Sequence, residues 1–510
     1  MPSPSESPPQ PQPAGEPLRD RGTRRALWLL AATVFLASCL VTHPGTGWNV
    51  NTRLALVFAV VDRGELTIDA YHDTPPTTTQ DKAVFEGHYY SDKVIGLAAL
   101  AVPVYGLIRV VEEATGTSAG FQAHQYLLTR VAVSLPAAIA AVLLASLLIV
   151  LGGRPRRAVL VTAGVVFGSM WFGYSTIFYP YLPGIALCLG ALFVALTKPL
   201  TLRRAVAVGG LLGTALVFDF NFAITVAIIA ALAVAEVWRR PPAAIARLCG
   251  AAAATAAVPL LAFAAYSTHI FGSPTIPYRY EELDYFREGM QQGVMGVTSP
   301  KPNAVWFLSV HPYRGILFWS PWLVIVGICA VRLIRSGGLS ARIGAASLAA
   351  FVGYFLFNAG YYQWWAGGAM GPRLMVPMLA VVPLALVVCC RPDCPRWLLR
   401  ALTITMSVAV ALSLPLSLVD PQLAQGNTNE VLEGARIGTS LHIGQFEVLH
   451  RFYTFDWAGL KPVWGPPVGV SFVLTLLVIA GGIALADRAA RTAELPDVAQ
   501  TSQSQVTAES

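Results

Sequence analysis

VIGLAALAVPVYGLIRVV, residues 94–111, is apolar enough to cross a bilayer, and whether it crosses decides the topology of every later segment. Lys and Arg accumulate in cytoplasmic connections, because cationic segments are translocated poorly. A crossing here would put the basic group at 154–157 outside and would invert every later basic cluster. We therefore predict a helix that lies at, or dips into, the outer membrane surface. Pro103 in its middle suits such a broken or tilted element, and Arg109 stays at the interface.

The remaining composition predicts an integral membrane protein, since 55% of the 510 residues are apolar and 12% are charged. A bilayer core requires roughly 17–25 apolar residues per helix, and the chain offers about twelve such segments, some of them short. The predicted spans are residues 26–41, 126–151, 158–172, 182–196, 205–218, 223–237, 248–266, 316–331, 343–357, 374–388, 401–418 and 468–486.

Basic clusters precede the first span and recur at alternate connections, so all of them share one side if both termini are cytoplasmic. The net charge of +7 is thus a topology signal of a multi-pass plasma-membrane protein, and no nucleic-acid surface is indicated. Residues 1–25 and 487–510 are predicted to be disordered cytoplasmic tails that flank a membrane domain at 26–486.

Polar residues gather in the connections predicted to lie outside. Three of these loops are long, at 42–125, 271–314 and 419–467, and a short one lies at 358–373. Long loops rich in polar and aromatic residues are more often functional than passive. We expect the four loops to converge on one extracytoplasmic cavity.

The first outer loop has a compact block of groups suited to catalysis. Asp81-Lys82 and Asp92-Lys93 flank Gly87-His88-Tyr89-Tyr90, which together offer a base, cations for phosphate and aromatic stacking surfaces. Asp69 is a further candidate acid. Carboxylates in a solvated loop can also have no chemical role, and the sequence leaves that alternative open for each one.

Two motifs carry a family resemblance. GHYYSDK at 87–93, followed by an apolar helix that does not cross, and WWAGGAMGPR at 364–373 resemble the GT-C superfamily of glycosyltransferases that use polyprenyl-phosphate sugars. Protein O-mannosyltransferases and lipid A aminoarabinose transferases belong to that group. The resemblance implies an all-α membrane protein of about twelve transmembrane helices in a GT-C-like arrangement, with juxtamembrane helices in the first outer loop.

The resemblance also implies roles for individual residues. Lys93 inherits contact with the carrier phosphate, Arg373 lies at the outer mouth of a helix, and Arg314 in the HPYRG segment lies at the same depth. The further candidates for donor binding are Tyr90 and Lys82. Candidates for sugar or acceptor binding are His88, Trp364, Trp365, Tyr278 and Arg279. Arginines at membrane interfaces also snorkel to headgroups, and Trp and Tyr also populate the interfacial belt, so a structural role stays open for them.

One position departs from the family pattern. Related transferases carry an Asp-Glu pair close behind the first span, where this chain has Asn51-Thr52-Arg53. Asparagine cannot accept a proton at neutral pH, so either the base comes from elsewhere in the loop or the chain is not a transferase of that type. We predict Asp81 as the first candidate and Asp69 as the second.

The predicted reaction is attack by an acceptor hydroxyl on the anomeric carbon of a polyprenyl-phosphate sugar, with a cell-envelope glycan, lipid or protein as acceptor. No motif specifies the sugar, the acceptor or a metal, and a divalent cation stays open as a cofactor. A lipid or solute transporter is the alternative from another class, although no two-halves symmetry supports it. A non-catalytic membrane protein of envelope assembly is the third.

Overall fold

The computed structural model describes residues 17–419, except 42, 44–46 and 369, and residues 468–494. Most of the third predicted outer loop, at 419–467, therefore lies outside the described residues. The same holds for residues 1–16 and 495–510 of the predicted tails.

Helices form nearly all of the regular secondary structure of the described residues, and each predicted span lies mainly on helical backbone. The helices up to residue 271 are α1 Arg21–Cys39, α2 Trp48–Phe58, α3 Gly96–Thr115, α4 Gly120–Thr129, α5 Leu135–Val150, α6 Pro155–Phe167, α7 Met170–Ser175, α8 Tyr181–Thr197, α9 Leu202–Phe218, α10 Ala223–Val237 and α11 Pro242–Phe271. The helices after residue 271 are α12 Asp284–Gln291, α13 Pro302–Ser309, α14 Ile316–Trp319, α15 Leu323–Arg335, α16 Gly338–Gly360, α17 Val387–Cys390, α18 Arg396–Val419 and α19 Val468–Glu494.

Short helical pieces of other types join these helices. Single π-helical turns at Ala59–Arg63 and Arg130–Ser134 extend α2 and connect α4 to α5. Turns of 3₁₀ helix occupy Phe220–Phe222, Pro277–Tyr280, Arg373–Ala380 and Val382–Leu386.

Several predicted spans are broken, and this limits how many single helices are long enough to cross. Within the described ranges, six helices have the length and apolarity of a span, or seven if one bent pair counts as a single crossing. The bent pair, Arg373–Ala380 and Val382–Cys390, turns by 51°. Pro377 and Pro383 explain why this segment is not one regular α-helix, because each lacks the N–H that a continuous helix would use. The chain is a multi-pass helical membrane protein, but its helices do not establish a count of twelve.

Helix α3 shows the one-sided burial expected of a helix along a surface. Leu97, Ala101 and Tyr105 are buried, whereas the side chains of Leu107 and Val110 are 65% and 62% exposed. Despite its 20 residues, α3 does not have the composition of a span. The placement of residues 94–111 along the membrane surface stays a prediction.

Small residues let the long helices approach closely. A Cβ at Gly209 of α9 would lie 2.0 Å from the carbonyl oxygen of Ala252 in α11, and one at Gly213 would lie 2.3 Å from that of Ala256. Close backbone approach of this kind increases van der Waals packing between membrane helices. Such packing matters in a bilayer because the hydrophobic effect does not drive helices together there. Helix α19 packs on α1 and continues to Glu494, so it extends into the segment predicted to be a tail.

A β-hairpin in the first outer loop positions the polar block. Its strands are β1 Lys82–Phe85 and β2 His88–Ser91, paired antiparallel with Lys82 opposite Ser91. Glu86 and Gly87 form a two-residue turn, both with positive φ (52° and 83°), as the type I′ hairpin turn requires. This register places the residues just outside the strands, 81 and 92–93, together at the open end.

Candidate active site

The open end of the hairpin holds an ion-paired lysine. Lys93 Nζ lies 3.0 Å from Asp81 Oδ2 and also contacts the Asp92 carboxylate. Asp92 is fully buried, and the side chains of Lys93 and Asp81 are 9% and 15% exposed. Asp81 and Asp92, each of which precedes a lysine in the sequence, therefore both contact the ammonium group of Lys93.

The second outer loop adds a third carboxyl to this group. The backbone of Glu281 forms a bridge to Ala83, and the Glu282 N–H donates to the Lys82 carbonyl at 3.0 Å. The loop thus lies along the edge of β1, and the Glu281 side chain reaches Asp92. Two separate loops build one cluster, which local sequence patterns cannot reveal.

The cluster is electrostatically unusual. Burial raises the pKa of Asp92, and the nearby Asp81 carboxylate adds to this rise. Burial and the charge of Asp92 raise the pKa of Glu281 well above the ordinary carboxyl range. Burial alone would lower the pKa of Lys93, but the carboxylates of Asp81 and Asp92 raise it well above its usual value. We infer that Lys93 stays charged among these carboxyls.

A cavity of about 980 Å³ opens beside the cluster, at the upper end of the 300–1,000 Å³ range usual for ligand sites. Its charged lining residues are Arg53, Asp81, Lys93, Asp219, Glu281 and Arg373. Its aromatic lining residues are Trp48, Tyr179, Tyr181, Phe220, Tyr278, Tyr285, Phe286, Phe357, Tyr361, Tyr362 and Trp365. Cations and carboxylates beside aromatic faces suit a ligand with a sugar and an anionic group.

Arg373 is placed to receive an anion. Its Nη1 donates to the Tyr179 hydroxyl at 2.6 Å, while its Nε is buried with no hydrogen-bond partner. Among the residues that the structure describes, no carboxylate forms an ion pair with this guanidinium. A buried cationic donor without an acceptor is costly, so this group points to a bound anion.

Arg314, unlike Arg373, has a structural role. It is fully buried and donates to the carbonyl oxygens of Trp365 (3.0 Å) and Gly367 (2.8 Å). It is not part of the cavity lining. Arg314 therefore holds the 365–367 turn, which does line the cavity and in which Ala366 has φ 57°.

The second predicted base, Asp69, and the predicted donor-binding residues Lys82 and Tyr90 lie outside the cavity lining. Asp69 accepts from His88 Nδ1 and from the Tyr89 N–H, both at 2.7 Å, near the exposed turn end of the hairpin. Lys82 is buried but donates to Asp73 and Glu282, each at 3.2 Å. Tyr90 packs its ring against Phe271, with centroids 5.7 Å apart.

The predicted sugar- or acceptor-binding residues divide in the same way. Trp365 and Tyr278 line the cavity, and Lys93 Nζ lies 5.4 Å from the centre of the Tyr278 ring. Trp364 instead stacks on Phe307, with centroids 5.6 Å apart, and Arg279 is exposed outside the lining. The cavity therefore brings together Asp81, Lys93, Arg373, Trp365 and Tyr278, and leaves out Asp69, Lys82, Tyr90, His88, Trp364, Arg314 and Arg279.

Arg53, Asp219 and Glu281 also line the cavity, although none of them was a predicted site residue. Arg53 lies on α2 and donates to the Val94 carbonyl at 3.3 Å. Its neighbour Asn51 donates to the carbonyls of Pro76 and Thr78, at 3.2 and 2.8 Å, and so supports the loop from behind. Arg53, which follows the position of the expected acid pair, lines the cavity, whereas Asn51 does not.

A metal has no evident set of ligands at this cluster. Within the described ranges no three His, Cys, Asp or Glu side chains form a group that could hold an ion. The carboxyls of the cluster surround Lys93 instead.

No protein-family model and no curated protein matches the chain. Eleven chains of solved structures do. One is ArnT from Cupriavidus metallidurans bound to undecaprenyl phosphate, at 12% identity and a TM-score of 0.46, covering 91% of this chain and 76% of that one. Another is the archaeal oligosaccharyltransferase AglB from Archaeoglobus fulgidus in complex with an inhibitory peptide and a dolichol-phosphate. It is 12% identical with a TM-score of 0.41, over 86% of this chain and 61% of that one.

Both proteins are GT-C superfamily members, the group that the sequence motifs resemble. With 12% identity and TM-scores below 0.5, these similarities do not define the chemistry of the present chain. Its own residues must carry any functional conclusion.

Proposed function

We propose that this chain is a membrane glycosyltransferase that transfers a sugar from a polyprenyl-phosphate donor to a cell-envelope acceptor on the extracytoplasmic side. The observation that carries the proposal is that the Asp81–Lys93 ion pair and Arg373, whose buried Nε has no hydrogen-bond partner, line one cavity. A base and two phosphate-binding cations are the groups that this transfer needs.

The position of the cavity relative to the basic helix ends supports an extracytoplasmic site. Helix α9 begins beside Arg203 and ends at Phe218, next to the cavity-lining Asp219. Helix α15 follows Arg314, which binds the cavity-lining turn at 365–367, and ends at the basic residues Arg332 and Arg335. The basic clusters thus lie at the helix ends remote from the cavity, and basic ends are cytoplasmic by the positive-inside rule.

The ion pair suggests how the site becomes competent. A donor phosphate that reaches Lys93 replaces Asp81 as the partner of the ammonium, and the freed carboxylate can then accept the proton of the acceptor hydroxyl. The acceptor oxygen forms a bond to the anomeric carbon as the bond to the phosphate oxygen breaks. The polyprenyl phosphate departs with its negative charge held by Lys93 and Arg373.

The test is transfer of radiolabelled sugar from a panel of synthetic polyprenyl-phosphate sugars by the purified protein in detergent. We expect Asp81→Asn to reduce turnover by roughly 10²–10⁴-fold, since a general base contributes about that much. Asp69→Asn is the matched control, because Asp69 lies outside the cavity, and it should keep wild-type turnover.

Full turnover by folded Asp81→Asn would refute the role of Asp81. Loss in Asp69→Asn alone would move the base to the other end of the hairpin. No turnover by folded wild-type protein with any donor would favour the transporter alternative.

A further inference from the structure

A second cavity, of about 870 Å³, lies between α15 and the segment that follows α17. Its apolar walls come from Val324, Ile328 and Val331 of α15 and from Val388. Gly327 lies on the same wall, and a Cβ added there would meet no atom within 4 Å. The glycine therefore leaves an open notch between apolar side chains.

Arginines close one end of this apolar groove. Val324, Ile328, Val331 and Arg335 recur at helical spacing on one face of α15, so the stripe of valine and isoleucine leads directly to Arg332 and Arg335. At about 1.5 Å per residue, Arg332 and Arg335 lie roughly 14 and 18 Å along α15 from its first residue, Leu323.

The charges at that end are not balanced by the protein. Arg391 donates to the Leu151 carbonyl (3.3 Å) and to Ser340 (3.2 Å). In the part of the chain that the structure describes, no carboxylate forms an ion pair with Arg332, Arg335 or Arg391. Asp393 also lines the groove, so three guanidiniums face one carboxylate, which leaves a net charge of +2.

We propose that this groove binds an anionic glycerophospholipid. The phosphate headgroup lies against Arg332, Arg335 and Arg391, and an acyl chain follows the notch at Gly327 along the apolar stripe. Basic pockets between membrane helices on the cytoplasmic side suit acidic headgroups, whereas a zwitterionic lipid gains less from three arginines. The apolar wall, with Val324 and Val331 52% and 40% exposed, needs a lipid tail and not a free phosphate.

The test is native mass spectrometry of the full chain in detergent, titrated with phosphatidylglycerol, phosphatidylcholine or glycerol phosphate. We expect phosphatidylglycerol to bind with preference over phosphatidylcholine. In the variant Arg332→Gln/Arg335→Gln this binding should weaken roughly 30-fold, or about 2 kcal/mol, from about 1 kcal/mol per arginine. The matched control is Arg203→Gln/Arg247→Gln, which removes the same charge at the same end of the bundle and should retain binding.

A second variant tests the tail independently of charge. Gly327→Leu fills the notch while keeping every arginine, and it should weaken phosphatidylglycerol binding at unchanged thermal stability. Equal loss in the Arg203/Arg247 control would overturn the proposal in favour of general surface charge. Full competition by glycerol phosphate, or undiminished binding by Gly327→Leu, would overturn it in favour of a plain anion site.

Discussion

Replacing Lys93 with methionine tests the electrostatic core of the site. Methionine keeps much of the side-chain volume but removes the cation between Asp81 and Asp92, with Glu281 also close by. At 3.0 Å and an effective dielectric constant of about 20, the attraction between Lys93 and Asp81 alone is about 5.5 kcal/mol. Desolvation of both ions offsets part of this. Removing one partner of a buried pair costs about 3–5 kcal/mol, which is the loss we expect at pH 7.5.

The loss should depend on pH in a defined direction. The lysine contributes stability at all pH values below its ordinary pKa, because its folded-state pKa is raised. Without it, the three carboxyls stabilise the fold better when protonated. The defect of Lys93→Met should therefore shrink as the pH falls from about 8 toward 5.

Thermal unfolding in detergent, followed by tryptophan fluorescence, ranks the variants. Lys93→Met should melt lowest, and adding Asp92→Asn should restore part of the loss by removing one uncompensated charge. Lys82→Met is the matched control, because Lys82 is equally buried but its partners Asp73 and Glu282 are 68% and 32% exposed and can be solvated. Its loss should be about 1 kcal/mol or less. A melting temperature of Lys93→Met equal to that of wild type, or no rescue by Asp92→Asn, would refute the reasoning.

Three further substitutions have defined outcomes. Arg373→Lys removes the planar fork that reaches Tyr179, so donor KM should rise by roughly 10–100-fold in the sugar-transfer assay; an unchanged KM would exclude Arg373 from donor binding. Glu281→Gln removes a carboxyl whose pKa is raised in the folded protein. Because of that rise, the wild-type side chain lowers the stability of the fold as the pH increases above the ordinary carboxyl pKa. The melting curve of Glu281→Gln should thus vary less between pH 5 and 8 than that of wild type, by at most about 1.4 kcal/mol per pH unit. Gly209→Leu forces α9 from α11 and should lower stability by about 1–3 kcal/mol or more, whereas Gly210→Leu, whose Cβ would meet open space, should not.

Sequence alone predicted the helical segments, because apolar length is a local property. The orientation of residues 94–111 stays a prediction that rests on the placement of arginines. The breaks inside several spans were not predicted. Gly168-Ser169 separates α6 from α7, and Pro321 lies in the break between α14 and α15. A hydropathy count averages over such breaks, although glycine and proline mark them.

The site was predictable only in part. Asp81 was a candidate by residue type and Lys93 by the family resemblance of its motif, but their contact depends on the register of a hairpin that was not predicted from the sequence. The Glu86-Gly87 turn was the available signal. Glu281 comes from a distant loop that pairs with the edge of β1, and a pairing across so many residues has no local signature.

The hairpin turn also offers a way to read sidedness directly. Its tip at Glu86-Gly87 is exposed and lies at the opposite end of the strands from Asp81 and Lys93. A short epitope inserted there would leave the cavity untouched, since exposed two-residue turns tolerate insertions well. Antibody labelling of intact cells would then show, without any substrate, on which side of the membrane the hairpin and the cavity lie.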